Sequence, residues 1–286
     1  MSISNEIKII RRLLNITQTD LAMALNVTYE SINKWENGKM RADNESIEKM
    51  YNFAFKNGVY FNDIYVQLFN EQLINKNKTL IFHGSDVDFE MPIKLDKYNP
   101  NSDFGTGFYT TDSFGQAVLN IANKHMESIY AFSFNEKDLK VLSLDIDVKW
   151  MIAVAYYRGW LGEYSNNSFV KKVIAEIEDA DVIFAPICDN RSSLIINEFI
   201  SGISTDLQCI NALKACGLKY QYVFRNEKAL KNLELISDLY ICKEEKSKYI
   251  NDGIELNNVG LNQVKFARIE YKGKGLIIGQ LLKWEH

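Results

Sequence analysis

Apolar residues in the first quarter of the chain recur at three- and four-residue intervals and predict a run of short helices. Ile10, Leu13 and Leu14 share one face of a first helix. Thr17, with Asp20 three residues on, reads as an acidic capping box opening a second helix, whose apolar face is Leu21, Ala22 and Leu25. Asn26-Val27-Thr28 is a tight connection, and Thr28 caps a third helix carrying Ile32 and Trp35. Asn37-Gly38 ends it, glycine being at ease in the left-handed conformation that follows a helix. A fourth helix starts near Asn44 with Ile47, Met50, Tyr51 and Ala54 on one face, and Phe61, Ile64, Tyr65, Leu68, Phe69 and Leu73 continue the period. The polar stretch INKNKT (74–79) marks a boundary between a helical domain over 1–75 and a second domain over 79–286.

After Thr79 the pattern turns to short strands with irregularly placed helices. Strands are predicted at 79–85, from Phe108, and at 128–134, 140–146, 179–187 and 219–226. Helices are predicted from Ser113 to His125 and over 148–161, 168–179 and 207–217, with another beginning at Lys228. The tail, from VKFARIEYKG to KGLIIGQLLKW, reads as one or two further strands, and KEEKSK (243–248) as a solvated charge run. The whole is an all-α bundle followed by an α+β domain.

The segment TQTDLAMALNVTYESINKWENGK (17–39) resembles the Cro/phage-repressor helix-turn-helix family. The resemblance implies DNA binding by a dimer, because one such module covers a half-site. Gln18, at a helix N-terminus, is a candidate phosphate contact; Thr28, Tyr29, Glu30, Ser31, Asn33 and Lys34 lie on or near the exposed part of the recognition helix. Leu21, Leu25, Ile32 and Trp35 are core residues in either case, and such a bundle can also serve as a docking module.

Composition narrows the choices. The 286 residues are 47% hydrophobic with only 3 Pro, which excludes a mostly disordered chain, and the formal charge of −4 supplies no global field for nucleic acid, so DNA binding has to be local. Four cysteines (188, 209, 216, 242) and three histidines (83, 125, 286) lack metal-ligand spacing, so free thiols and no metal are expected. No apolar run approaches the roughly 20 residues of a spanning helix, and no signal peptide is evident, so a cytoplasmic protein without a membrane partner is expected.

Within the second domain, His83-Gly84-Ser85 ends an apolar strand, and FGTGFYTTDSFGQA (104–117) leads through two glycines into another strand and a helix. Singly, these read as a structural histidine, a tight turn and a core tyrosine. As an ordered pair they resemble the histidine–tyrosine class of ADP-ribosyltransferases, which includes the poly(ADP-ribose) polymerases and diphtheria toxin. With ADVIFAPICDN (180–190) and KYQYVFRNEKALKNL (219–233), they look like a bacterial ADP-ribosyltransferase-like family of unknown function, over roughly 79–235.

That resemblance implies NAD as co-substrate, with His83 on the adenosine-side ribose, the Gly84 backbone on the nicotinamide carboxamide, Ser85 beside them, and Tyr109 shaping the nicotinamide end. Gly105 and Gly107 would let the loop turn into the strand. Three positions depart from the polymerase pattern: Asn120 replaces a second tyrosine, Ala117 a serine, and Gln221 the glutamate of the late strand. Glu198 is the reserve carboxylate, Glu227 belongs to the following helix, and Arg191 either faces the NAD phosphates or sits in a surface turn after Asp189-Asn190. The expected function is a mono-ADP-ribosyltransferase with a DNA-binding head, of toxin or phage-defence type, with a cognate antitoxin or inhibitor as a possible partner. The alternative is a transcription regulator whose degenerate transferase domain senses NAD or a related nucleotide.

Overall fold

The computed structural model describes residues 2–85, 91–122 and 128–284. The head is five helices: α1 (Ile3–Leu14), α2 (Gln18–Leu25), α3 (Tyr29–Glu36), α4 (Asn44–Lys56) and α5 (Phe61–Ile74). Local chemistry sets their ends. Thr17 and Asp20 form a reciprocal capping box on α2, Thr28 accepts the Ser31 amide at the start of α3, and Gly38 after α3 has φ +66°. One expectation is corrected: Leu13 is 61% exposed, and Ile7 joins Ile10 as the buried face of α1. A stripe one position off fits the same three-residue apolar run, and the tertiary contacts decide between them.

The second domain runs β1 (Thr79–Ser85), β2 (Phe108–Thr110), α6 (Phe114–Asn120), β3 (Ser128–Phe134), β4 (Val141–Ser143), α7 (Val148–Tyr157), α8 (Ser168–Glu178), β5 (Val182–Pro186), α9 (Asn190–Ile200), α10 (Asp206–Ala215), β6 (Tyr220–Phe224), α11 (Glu227–Leu230), β7 (Leu233–Tyr240), α12 (Lys243–Glu270) and α13 (Ile278–Trp284). The predicted helix from Ser113 ends at Asn120 among the described residues, and its extension over 123–125 lies outside them. The tail expectation is corrected: it is helical, forming α12 and α13, and KEEKSK is the first turns of α12. The alternation Val264, Phe266, Arg268 imitates a strand, but Gly260 and Val264, four apart, are the buried positions.

Two sheets result. Sheet A is antiparallel in the order β1-β3-β7; sheet B has the order β2-β6-β5-β4, with only β4 and β5 parallel. Period-two alternation divides the core into layers. From β1, Leu80 and Phe82 enter a cluster with Phe69 and Leu73 of α5 and with Ala117 and Val118 of α6, whereas Ile81 faces Phe108, Phe132 and Phe224 between the sheets. On the far side of sheet B, Val223, Ile183 and Ala185 pack under α7–α10 and α13.

The head therefore shares a continuous core with sheet A. Polar groups close its edge. Asn62, fully buried, donates to the Tyr240 carbonyl (2.9 Å) and to Glu245 Oε2 (2.8 Å). Glu48 accepts the Lys243 amide (3.0 Å) and the Tyr240 hydroxyl, and Asn52 Oδ1 accepts the Glu244 amide (3.1 Å). Side chains of α4 thus cap the N-terminus of α12, satisfying amides that have no partner within the helix.

Burial pushes the Glu245 carboxyl up to about 7; Asp63 adds to that, and the Asn62 bond and Lys248 oppose it. The folded state then holds this proton more tightly than the unfolded chain, so stability is lost as pH rises from the ordinary value of 4.5 through about 7. Glu245→Gln is expected to flatten that slope and raise stability at about pH 8 by about 1–3 kcal/mol. Urea unfolding of both proteins across the pH range measures it.

Candidate functional site

In the head, α2 and α3 cross at the Asn26 turn while α4 and α5 face the second domain. Thr28, Tyr29, Glu30 and Lys34 are exposed, and so are Lys39 and Arg41 on the loop after α3, two cations that the sequence reading did not single out. Ser31 is half-buried and bonded to Thr28 Oγ1 (2.9 Å). Gln18 and Asn33 point inward to each other. Gln18 Nε2 donates to Glu36 Oε2 (2.8 Å) and its carbonyl accepts from Asn33 Nδ2 (3.3 Å). Arg11 completes this network with a bidentate contact on Glu36. Gln18 is thus a brace between α2, α3 and α1 rather than an outward phosphate contact.

The second domain holds two adjoining polar groups. Pairing of Phe82 with Thr111 (2.7 and 2.9 Å) joins β1 to the end of β2, and His83 Nδ1 donates to the Tyr109 carbonyl (2.7 Å). His83 also packs on the Phe108 ring, centroids 4.6 Å apart. The side chains of His83 and Tyr109 nevertheless part company: β2 alternation sends Phe108 between the sheets with His83, and Tyr109 to the helical side.

There the Tyr109 hydroxyl donates to the Gly105 carbonyl (2.8 Å) and accepts the Phe104 amide (3.0 Å), closing its own loop, and burial pushes its phenol above the ordinary value. Packing explains the glycines. A Cβ on Gly84 would lie 2.5 Å from the Ala117 carbonyl, one on Gly107 2.6 Å from Val223, and one on Gly105, where φ is +75°, 2.9 Å from the Tyr157 ring.

Gln221 shares the face of Tyr109. Its Nε2 donates to Asp103 Oδ2 (2.8 Å) and to the Pro186 carbonyl (3.3 Å). Asp103, buried, also accepts the Cys188 amide (2.9 Å) and pairs with Arg158 (2.5 Å), whose guanidinium reaches Ser193 Oγ (2.6 Å) and the Cys188 carbonyl (2.8 Å). Asp103 and Arg158 escaped the sequence reading. The run Asp103-Phe104-Gly105 was visible, but nothing local tied it to Arg158 or Gln221. Burial pushes the Cys188 thiol up to about 11, which keeps it protonated and unreactive near neutral pH.

Two predicted site residues fall elsewhere. Glu198, on α9, pairs with Arg268 of α12 (3.0 Å) and so serves the packing of α9 on α12. Arg191, in the first turn of α9, donates to the carbonyl and side chain of Asn257 on α12 (both 2.9 Å). Asp189 caps α9 through the Ser192 amide. Ser85 is buried at the end of β1.

These features define a protein with an N-terminal helix-turn-helix followed by an α+β domain built of two sheets. The family model "Protein of unknown function (DUF3990)" matches residues 79–235, more than half of the chain, and the chain belongs to that family. A "Helix-turn-helix" model matches residues 7–52. No curated protein and no solved structure matches. Among the described residues, no helix is long and apolar enough to cross a membrane.

Removing the carboxylate of Asp103 would leave the Cys188 amide without its acceptor, the Arg158 guanidinium without its counter-charge and Gln221 with only its longer bond to Pro186. Asp103→Ala is expected to cost about 3 kcal/mol in urea unfolding, with Arg158→Met in the same chain recovering part of that loss through a positive coupling.

Proposed function

We propose that the chain is a DNA-binding protein whose second domain binds NAD and transfers a single ADP-ribosyl unit from it. The observation that supports this reading is the junction of the two motif segments. The Phe82–Thr111 pairing and the His83–Tyr109 bond hold HGS and FGTGFYTT side by side, as the resemblance to the histidine–tyrosine transferases requires. On this reading His83 holds a ribose hydroxyl, the Gly84 backbone pairs with the carboxamide, and the acceptor attacks the ribose carbon as nicotinamide leaves. Rigid placement of the oxocarbenium-like centre supplies the rate. Gln221 cannot accept a proton, so the acceptor has to be a competent nucleophile on its own, which favours one transfer over chain growth.

A second reading draws on the same glutamine. Its amide is committed to Asp103, and the charge of Asp103 is matched by Arg158, so neither group is free to take part in a transfer, which favours binding without turnover. The chain would then be a regulator whose affinity for DNA responds to NAD. The shared core between α5 and β1 gives such a signal a short route.

Adenylate-labelled NAD incubated with the full-length chain and cell lysate tests both. Label transfer by the wild type, reduced about tenfold or more in His83→Ala, is the expected result. Saturable NAD binding without transfer, together with altered DNA affinity, supports the second reading; no binding overturns both. For the head, Lys34→Ala is expected to weaken duplex binding and lower the salt slope by about 1, measured by fluorescence anisotropy at several salt concentrations.

A further inference from the structure

α12 carries the largest set of exposed apolar side chains of any element described. Its inward stripe is Gly260 and Val264, with Asn257 and Arg268 bonded to Arg191 and Glu198 of α9. Around the helix from that stripe lie Val259 (62% exposed), Phe266 (72%) and Ile269 (74%), with the exposed Asn262 among them, while the exposed Ile254, Leu256 and Leu261 lie to either side of that line. The successive intervals are three, four and three residues, the a and d spacing of a helix seam. Contiguous apolar exposure of this kind is the usual mark of an interaction surface.

We propose that this seam pairs with the α12 of a second copy, the two helices running parallel about a two-fold axis. Charge assigns the occupant and the direction. With Val259 and Phe266 at a and Asn262 and Ile269 at d, the flanking positions are Asn258 and Lys265 on one side and Gln263 and Glu270 on the other. In a parallel pair each residue on the first side meets the one five positions on, on the second side, in the partner. That sets Lys265 against Glu270 of the partner subunit and Asn258 against the partner's Gln263, an ion pair and an amide pair, each occurring twice. Asn262 meets its own copy within the seam, a polar pair that lowers the stability of the pairing.

The direction also agrees with the position of the heads. α12 begins against α4, where Glu48 and Asn52 hold its first amides, and it is 28 residues long, about 42 Å. A parallel pair puts both helix-turn-helix heads at one end of the assembly, where a single duplex can meet them as two half-sites. An antiparallel pair would send them to opposite ends.

Sedimentation velocity of the full-length chain tests the pairing without DNA or NAD, so its outcome is separable from that of the proposed activity. The wild type is expected to be a dimer, and Phe266→Glu to raise its dissociation constant about 100-fold or more, since two phenylalanines lose their burial together. Phe266 being exposed, the variant keeps the wild-type near-ultraviolet circular dichroism. Lys265→Glu and Glu270→Lys are each expected to weaken the dimer about three- to tenfold, and the double exchange to restore it. Asn262→Cys and Ile269→Cys should each cross-link to their own copy on mild oxidation, as only a parallel, in-register pair allows at both positions. A monomeric wild type, a dimer indifferent to Phe266→Glu, failure of the charge exchange to restore pairing, or cross-linking at neither position would overturn the proposal.

Discussion

The structure turns on the two-faced burial of β1. Seven residues, Thr79 to Ser85, send Leu80 and Phe82 into the core that holds the helical head and Ile81 into the core between the sheets. Because strand side chains alternate strictly, a shift of one residue would exchange these faces and place His83 against α6. The antiparallel register with β3, the Phe82–Thr111 bridge and the His83–Tyr109 bond all depend on the one alignment. The strand that anchors the head is thus also the strand that presents the candidate ligand-binding histidine.

Around that strand, buried charge is arranged by sharing rather than by isolated pairs. Glu6 accepts from both Tyr51 and Tyr65, Glu36 from Arg11 and Gln18, and Asp103 from Arg158, Gln221 and the Cys188 amide. Each of these three carboxylates gains two or three hydrogen bonds, which offset its desolvation and tie elements distant in sequence to one point, whereas Glu245, with the Asn62 bond, keeps its proton instead. The same economy of donors leaves Tyr109 and Gln221 bonded within the protein before any ligand arrives.

The parts that were legible in the sequence are those governed by nearest neighbours. Capping at Thr17 and Thr28, the stop at Gly38 and the strands at 79–85, 128–134 and 220–224 depend on residues within a few positions of each other. The helix-turn-helix and the paired HGS and FGTGFY segments were legible for the same reason. α9 had its signal as well, since Asp189 stands three before Ser192 and Ile195, Ile196, Phe199 and Ile200 follow at helical intervals. What escaped was set by contacts across the chain. Arg158, Cys188 and Gln221 are 55, 85 and 118 residues from Asp103 or its partners. The narrow buried stripe of α12 means something only once α9 and α10 lie beneath it, and β7 is defined by its ladder to β3 rather than by a pattern of its own.

Residues 75–78 offer the obvious place to separate head from body, yet the two halves are poor modules. α5 would leave with Phe69 and Leu73 stripped of Leu80 and Phe82, and α12 would start with its amides uncapped once Glu48 and Asn52 had gone. An excised head would be sticky and an excised body frayed. Exchange of heads between relatives of this architecture therefore has to carry matched residues on α4, α5 and the start of α12 along with the DNA-facing helix, so the two halves are constrained to diverge together.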